Sequence, residues 1–211
     1  MNYVIFDIDG TLNQTSLYAI KAYKNALKKW QIEVTDEEII ACFGLTPEDI
    51  VKKFFGTLSD SELEEWRHDI VSSEFELMDQ CARCFEGTKE MLKGLKEKGY
   101  QLAICSNAYP EHIKKVLESI GLTDFFHEIA YLKKGDSKKD VLAHILKNIN
   151  YEKACMVGDR IFDLEAARVN NIPFIGCLYG YAPNEIKNAE YTVCKPIDIL
   201  NIIDEIFENN E

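Results

Sequence analysis

Short apolar runs rich in β-branched residues recur along the chain, each stopped by a polar or glycine-containing turn. The first covers residues 2–8 and ends at Asp9-Gly10-Thr11. Further runs at residues 101–105, 128–132, 154–157, 174–176 and 191–193 read as strands, and residues 88–98 and 137–147 carry apolar positions at helical spacing. Gly99, Gly121 and the Asn171-Ile172-Pro173 turn fall where helices should end. Strand and helix alternate, which predicts βαβ units and an α/β fold with a parallel sheet between two helical layers.

One interval breaks the rhythm. Asp9 and Ser106 stand 106 − 9 = 97 positions apart, whereas a βαβ unit needs about 30 residues. Within that interval the pattern is helical throughout. Ala19, Ile20, Tyr23, Ala26 and Leu27 share one face. Asp36 to Ile40, Thr46-Pro47-Glu48-Asp49 and Ser59-Asp60-Ser61-Glu62 look like capped helix starts. The expected organisation is therefore an α/β core of residues 1–14 and 85–211 with a small helical domain, residues 15–84, inserted through two hinges. Only residues 208–211 look frayed.

Charge narrows the partners. Against 24 basic residues stand 36 acidic ones, a net −12 in a chain of 211, and no basic stripe is present to attract nucleic acid. An acidic protein that handles a phosphorylated ligand must reverse the sign locally, with a divalent cation and a well-placed lysine. The first apolar run meets a carboxylate too early to form a signal core or membrane span, so a cytoplasmic location without membrane contact is expected. Seven scattered cysteines, several within strand-like runs, argue against a disulfide framework. Cys81 and Cys84 are the one close pair, and no second pair or histidine has the spacing to complete a zinc site with them.

In a doubly wound parallel sheet, ligands bind beyond the carboxyl ends of the strands. Asp7 and Asp9 end the first strand, Ser106 and Asn107 follow the second, Lys138 precedes a helix, and Gly158-Asp159 ends the run at 154–157. Two carboxylates two positions apart on an extended end project to the same side. They can share a cation or divide nucleophile and acid/base duties. The Ser106 hydroxyl and the Lys138 ammonium can hold phosphoryl oxygens, and Asp159 offers the hard oxygen that magnesium takes. Taken singly, each piece has an ordinary reading: a turn at Asp9-Gly10-Thr11, a helix N-cap at Ser106, a solvated lysine face at 138–139, and a first-turn carboxylate at Asp163.

In this order the pieces resemble the haloacid dehalogenase superfamily, whose motifs are DxDx[TV], a Ser/Thr after the second core strand, a Lys, and an acidic pair such as GDxxxD. Here they read DIDGT from Asp7, ICSN ending at Asn107, SKKD around Lys138, and GDRIFD from Gly158 to Asp163. Residues 172–193 look like the phosphoglycolate phosphatase and nucleotidase branch. The chain departs from that branch at Asn13-Gln14-Thr15, where an amide replaces a usual carboxylate, and it lacks a KPxP motif, so Lys138 and Lys139 both stand as the motif lysine.

The resemblance implies a Rossmann-like core with a helical cap, and a magnesium-dependent phosphatase acting on a small phosphorylated metabolite similar to phosphoglycolate or a nucleoside monophosphate. It implies that Asp7 attacks phosphorus, that Asp9 serves as acid and then base, and that Lys138 supports the charge. Thr11, Ser106 and Asn107 would bind phosphate. Mg²⁺ would be held by Asp7, the Asp9 carbonyl and Asp159, with Asp163 in support. Lys52, Lys53 and residues 43–46 are candidates for substrate contact. A sugar-phosphate mutase shares every core motif, and a catalytically silent binding module is the remaining alternative. Dehalogenation is disfavoured by Asp9.

Overall fold

The computed structural model describes residues 1–133 and 135–208. Lys134 lies outside the described residues, as do residues 209–211 of the end expected to fray from 208, whereas Glu208 is the last residue of a helix. Strands β1 (Asn2–Phe6), β2 (Gln101–Cys105), β3 (Glu128–Ala130), β4 (Lys153–Gly158), β5 (Phe174–Cys177) and β6 (Tyr191–Val193) form one sheet, all parallel, in the order β3-β2-β1-β4-β5-β6. All six lie where the apolar runs placed them. The order reverses at β1, which pairs Val4 with Leu102 on one side and with Cys155 on the other.

Both faces of the sheet are covered over its central strands, so β1, β2, β4 and β5 are apolar over most of their length. From β1, Val4 and Phe6 join one core with α5 (Thr88–Glu97), α6 (Pro110–Ile120) and α10 (Ile199–Glu208). Tyr3 and Ile5, pointing the other way, join a second core with α7 (Lys138–Asn148), α8 (Ile161–Val169) and the short α9 (Pro183–Ile186). That alternation of side chains across a strand produces the three layers.

Between β1 and α5 the chain makes four helices: α1 (Ser16–Lys29), α2 (Asp36–Ile40), α3 (Pro47–Phe55) and α4 (Asp60–Cys81). The last three begin where the sequence marked caps. The Thr35, Thr46 and Ser59 hydroxyls accept from the backbone N–H groups of Glu38, Asp49 and Glu62. Tyr23 of α1, Phe54 of α3 and Trp66 of α4 meet edge to face or tilted, and Phe55 packs on Trp66 at 4.9 Å between centroids.

The insertion leaves and re-enters through neighbouring strands. Asn13 forms an antiparallel bridge with Cys84, Gln14 N–H donates to the Arg83 carbonyl at 2.9 Å, and Phe85 N–H donates to the Leu12 carbonyl at 3.1 Å. The Gln14 side-chain amide adds a bond to the Cys84 carbonyl at 2.9 Å, which a carboxylate at that position would not donate. Cys81 and Cys84 are free thiols beside this hinge, like every other cysteine. Among the described residues, no helix is long and apolar enough to cross a membrane.

Candidate active site

Asp7 follows β1 directly at the point where strand order reverses, and its N–H donates to the Val157 carbonyl at 2.9 Å. The chain then turns at Gly10, whose φ of +86° suits glycine, and a Cβ there would stand 2.2 Å from Asp159 Oδ2. The close approach lets Asp159, at the end of β4, reach in beside Asp7. Asp163, in the first turn of α8, completes the group: one oxygen from each of Asp7, Asp159 and Asp163 lies within 4.8 Å of the others.

Lys138 enters from the start of α7. Its Nζ bonds Asp7 Oδ1 and lies 3.1 Å from Asp163 Oδ1, with the side chain only 5% exposed. Lys139 turns away and pairs with Glu165 at 2.8 Å on the surface. The helix begins at Lys138 itself, because Asp140 Oδ2 accepts from Ser137 N–H at 2.8 Å and closes the first turn.

Two of the three buried carboxylates, Asp7 and Asp163, share the one ammonium, and the titration of Asp7 and Asp159 records the shortage of positive charge. Burial pushes Asp7 up to about 7, with the charges of Asp163 and Asp9 adding to it against the pull of Lys138. Asp159 is raised for the same reason, burial first and then Asp7 and Asp163. Burial alone would lower Lys138, but Asp163 and Asp7 outweigh it and hold the ammonium charged. A hard divalent cation fits this donor set. Three carboxylate oxygens converge, and Asp159 Oδ1 is buried with no hydrogen-bond partner.

A cleft of about 1290 Å³ separates these groups from the inserted helices. Asp7, Asp9, Ser106 and Asn107 border it, and Asp159, Asp163 and Lys138 lie behind that wall. Asp9 faces the cleft with Oδ1 held by Thr15 Oγ1 at 2.6 Å and Asn13 Nδ2 at 3.2 Å. Ser106 Oγ accepts from Ala108 N–H at 3.2 Å, and Asn107 Nδ2 donates to the Gly44 carbonyl at 2.9 Å. Thr11 does not border the cleft; its side chain is fully buried and Oγ1 has no partner. Phe43, Gly44, Leu45 and Lys52 line the opposite wall. Thr46 instead caps α3, and Lys53 Nζ is tied to the Glu38 carbonyl at 2.8 Å.

Several supports escaped the motif reading. Tyr181 N–H donates to Asp159 Oδ2 at 2.7 Å, and a Cβ at Gly180 would stand 2.2 Å from Asp159 Cβ. Arg160 bonds the Phe43 carbonyl and pairs with Glu185 at 3.0 Å, tying α8 to the inserted segment. Glu74 and His112 face each other across the cleft at 3.6 Å. None carries a local signal, since each acts on a residue distant in sequence; only the position of Arg160 within GDRIFD draws the eye.

An acidic cluster at the switch point of a parallel sheet, served by one buried lysine and opening on a cleft, defines a hydrolase of the phosphatase class. Residues 4–177 match the haloacid dehalogenase-like hydrolase family, and the chain belongs to it. It is 30% identical over 188 residues to a phosphoglycolate phosphatase of Agrobacterium fabrum, covering 84% of this chain and 80% of that one. It is 29% identical over 174 residues to the pyrophosphatase PpaX of Listeria welshimeri, covering 78% and 77%. A crystal structure of a predicted phosphatase from Clostridium acetobutylicum superposes with a TM-score of 0.84 at 26% identity, over 97% of this chain and 98% of that one.

Proposed function

We propose that this enzyme is a magnesium-dependent phosphatase that hydrolyses a small phosphorylated metabolite through an aspartyl-phosphate on Asp7, the metabolite resembling phosphoglycolate or a nucleoside monophosphate. The observation that carries the reading is the division of labour around Asp7. It borders the cleft, its Oδ1 is bonded by Lys138, and Asp159 and Asp163 converge behind it. The free oxygen of Asp7 attacks phosphorus in line, and the P–O bond to the leaving group breaks as Asp9 delivers its proton. Thr15 and Asn13 both hold Asp9 Oδ1, which aims the other oxygen at the leaving group. Water then attacks the phosphoaspartate, Asp9 takes its proton, and phosphate departs.

Ser106 and Asn107 offer donors to the non-reacting oxygens, and Lys138 offsets charge as it builds. The Asp7 carboxylate, the Asp9 carbonyl and Asp159, with Asp163 in support, are the residues to hold Mg²⁺, which when bound neutralises the phosphoryl group. Residues 15–84 act as a cap that closes on residues 1–14 and 85–208. The Asn107 bond to Gly44 and the Arg160 bond to Phe43 are contacts that such closure makes.

The test is phosphate release from a panel of phosphorylated metabolites with magnesium. Activity should disappear with excess chelator and return with added magnesium, and Asp7→Asn should be inactive with an unchanged melting transition. Turnover retained by that variant would assign the nucleophile elsewhere. Equal appearance of inorganic phosphate and free alcohol separates hydrolysis from transfer to a second sugar.

A further inference from the structure

A phosphoryl group at Asp7 fixes where the rest of the substrate goes. Its leaving oxygen faces Asp9, so the remainder extends into the cleft toward the inserted helices. On that side Trp66, Ile70 and Glu74 stand four residues apart on one face of α4, all buried. Two are apolar, as a helix face against a core should be. Glu74 is not, although its side chain is only 9% exposed. Its neighbours make the burial costly. Tyr18 and Tyr23 of α1 lie close enough to feel its charge, Asp9 repels it, and the side chain facing it is His112 of α6.

The His112 Nδ1 to Glu74 Oε2 separation of 3.6 Å is too long for a hydrogen bond. A carboxylate that borders a cleft and has no close donor retains acceptor capacity for a ligand. The rest of the lining points the same way. Asp7, Asp9, Glu48, Asp60, Glu64 and Glu111 also border the cleft, against Lys52 and Arg67. Arg67 is already engaged with the Tyr109 hydroxyl at 3.2 Å. With magnesium and phosphoryl at the inner end, the outer lining sets more carboxylates than cations before a second anionic group.

We propose that Glu74, held opposite His112, selects the leaving group: it accepts from a hydroxyl or N–H of an uncharged leaving alcohol, such as a polyol, sugar or nucleoside, and rejects one bearing a second anion. The inference rests on the phosphatase reading and narrows it. The apolar wall of Tyr23, Ile50, Val51 and Trp66 suits the carbon skeleton of such an alcohol. Phosphoglycolate and pyrophosphate, whose leaving groups carry a carboxylate or a phosphate, would place that anion beside Glu74. The relatives with those names are similar to this chain in fold and motifs, and the inference separates it from them by substrate.

The experiment compares kcat/KM, at about pH 8.5 where the Glu74 carboxyl, pushed up to about 7, is ionised, with magnesium, for glycerol phosphate, a hexose phosphate and nucleoside monophosphates against phosphoglycolate and inorganic pyrophosphate. The best neutral-alcohol substrate should lead the best second-anion substrate by about 10-fold or more. Glu74→Gln, isosteric and uncharged, should shrink that ratio by about 10-fold, mostly through KM. Circular dichroism melting confirms that the variant is folded, and the wild-type ratio needs no variant. A wild-type preference for phosphoglycolate or pyrophosphate overturns the inference, as does a Glu74→Gln variant that scales both groups equally. Absence of turnover on every substrate overturns the phosphatase reading and this inference with it.

Discussion

At the scale of single residues, the motif carboxylates and Ser106 stand where the sequence placed them, while the groups that support them were not legible. Asp7, Asp9 and Asp159 announce themselves because each follows an apolar run directly. Which of two adjacent lysines matters could not be read, because the answer depends on the first turn of α7. There Lys138 points inward to Asp7 and Asp163 and Lys139 outward to Glu165. Lys138→Ala should therefore lower turnover by about 100-fold or more and also lower the melting temperature, since two buried carboxylates lose their counter-charge. Lys139→Ala, which breaks only an exposed pair, should change either quantity little. Turnover and melting of the two variants side by side check this, and the reverse ranking would move the site.

Glu74 supports a second prediction at this scale. Burial pushes its carboxyl up to about 7 from an ordinary 4.5, with His112 pulling down and Asp9 pushing further up. Between those two values the folded chain keeps a proton that the unfolded chain releases, so this residue makes stability fall as pH rises through the window. Glu74→Gln should thus gain on wild type between pH 5 and pH 8, by about 3 kcal/mol at most. Urea unfolding at both pH values measures it. A difference that stays constant would mean that Glu74 does not titrate there.

At the scale of elements, the sheet was legible because each strand is a short apolar run between turns. The helical caps were legible for a local reason, a hydroxyl three positions before a partner. The length of α4 was harder. It runs from Asp60 to Cys81, yet its inward positions include Asp69 and Glu74, which interrupt the apolar stripe that marks a buried face. The short α9 carries too few residues for any periodicity to show. Its neighbourhood still matters, for the loop between β5 and α9 brings Gly180 and Tyr181 against Asp159. Gly180→Ala should force Asp159 aside and weaken magnesium dependence by about 10-fold or more in half-saturation, with a smaller loss of turnover at saturating magnesium. A magnesium titration of activity decides it. An unchanged midpoint would show that the loop does not position Asp159.

At the scale of the whole molecule, the large interval between the first two strands foretold an insertion, but not how it is fastened. Residues 12–14 and 83–85 run antiparallel and hydrogen-bonded, so the core meets its insertion through two chain ends no farther apart than those of a β-hairpin. To the six-stranded sheet, the whole excursion is equivalent to a tight turn. Its length therefore adds little to the entropy of closing the core, since the ends are pinned where they cross. Such a junction makes the inserted helices an interchangeable module. A segment of different size and lining could be spliced between the same two residues without disturbing strand register, provided it brings its own cover for Tyr181, which Phe43 now packs against at 4.8 Å. Exchange of the module would leave the carboxylates and the lysine in place.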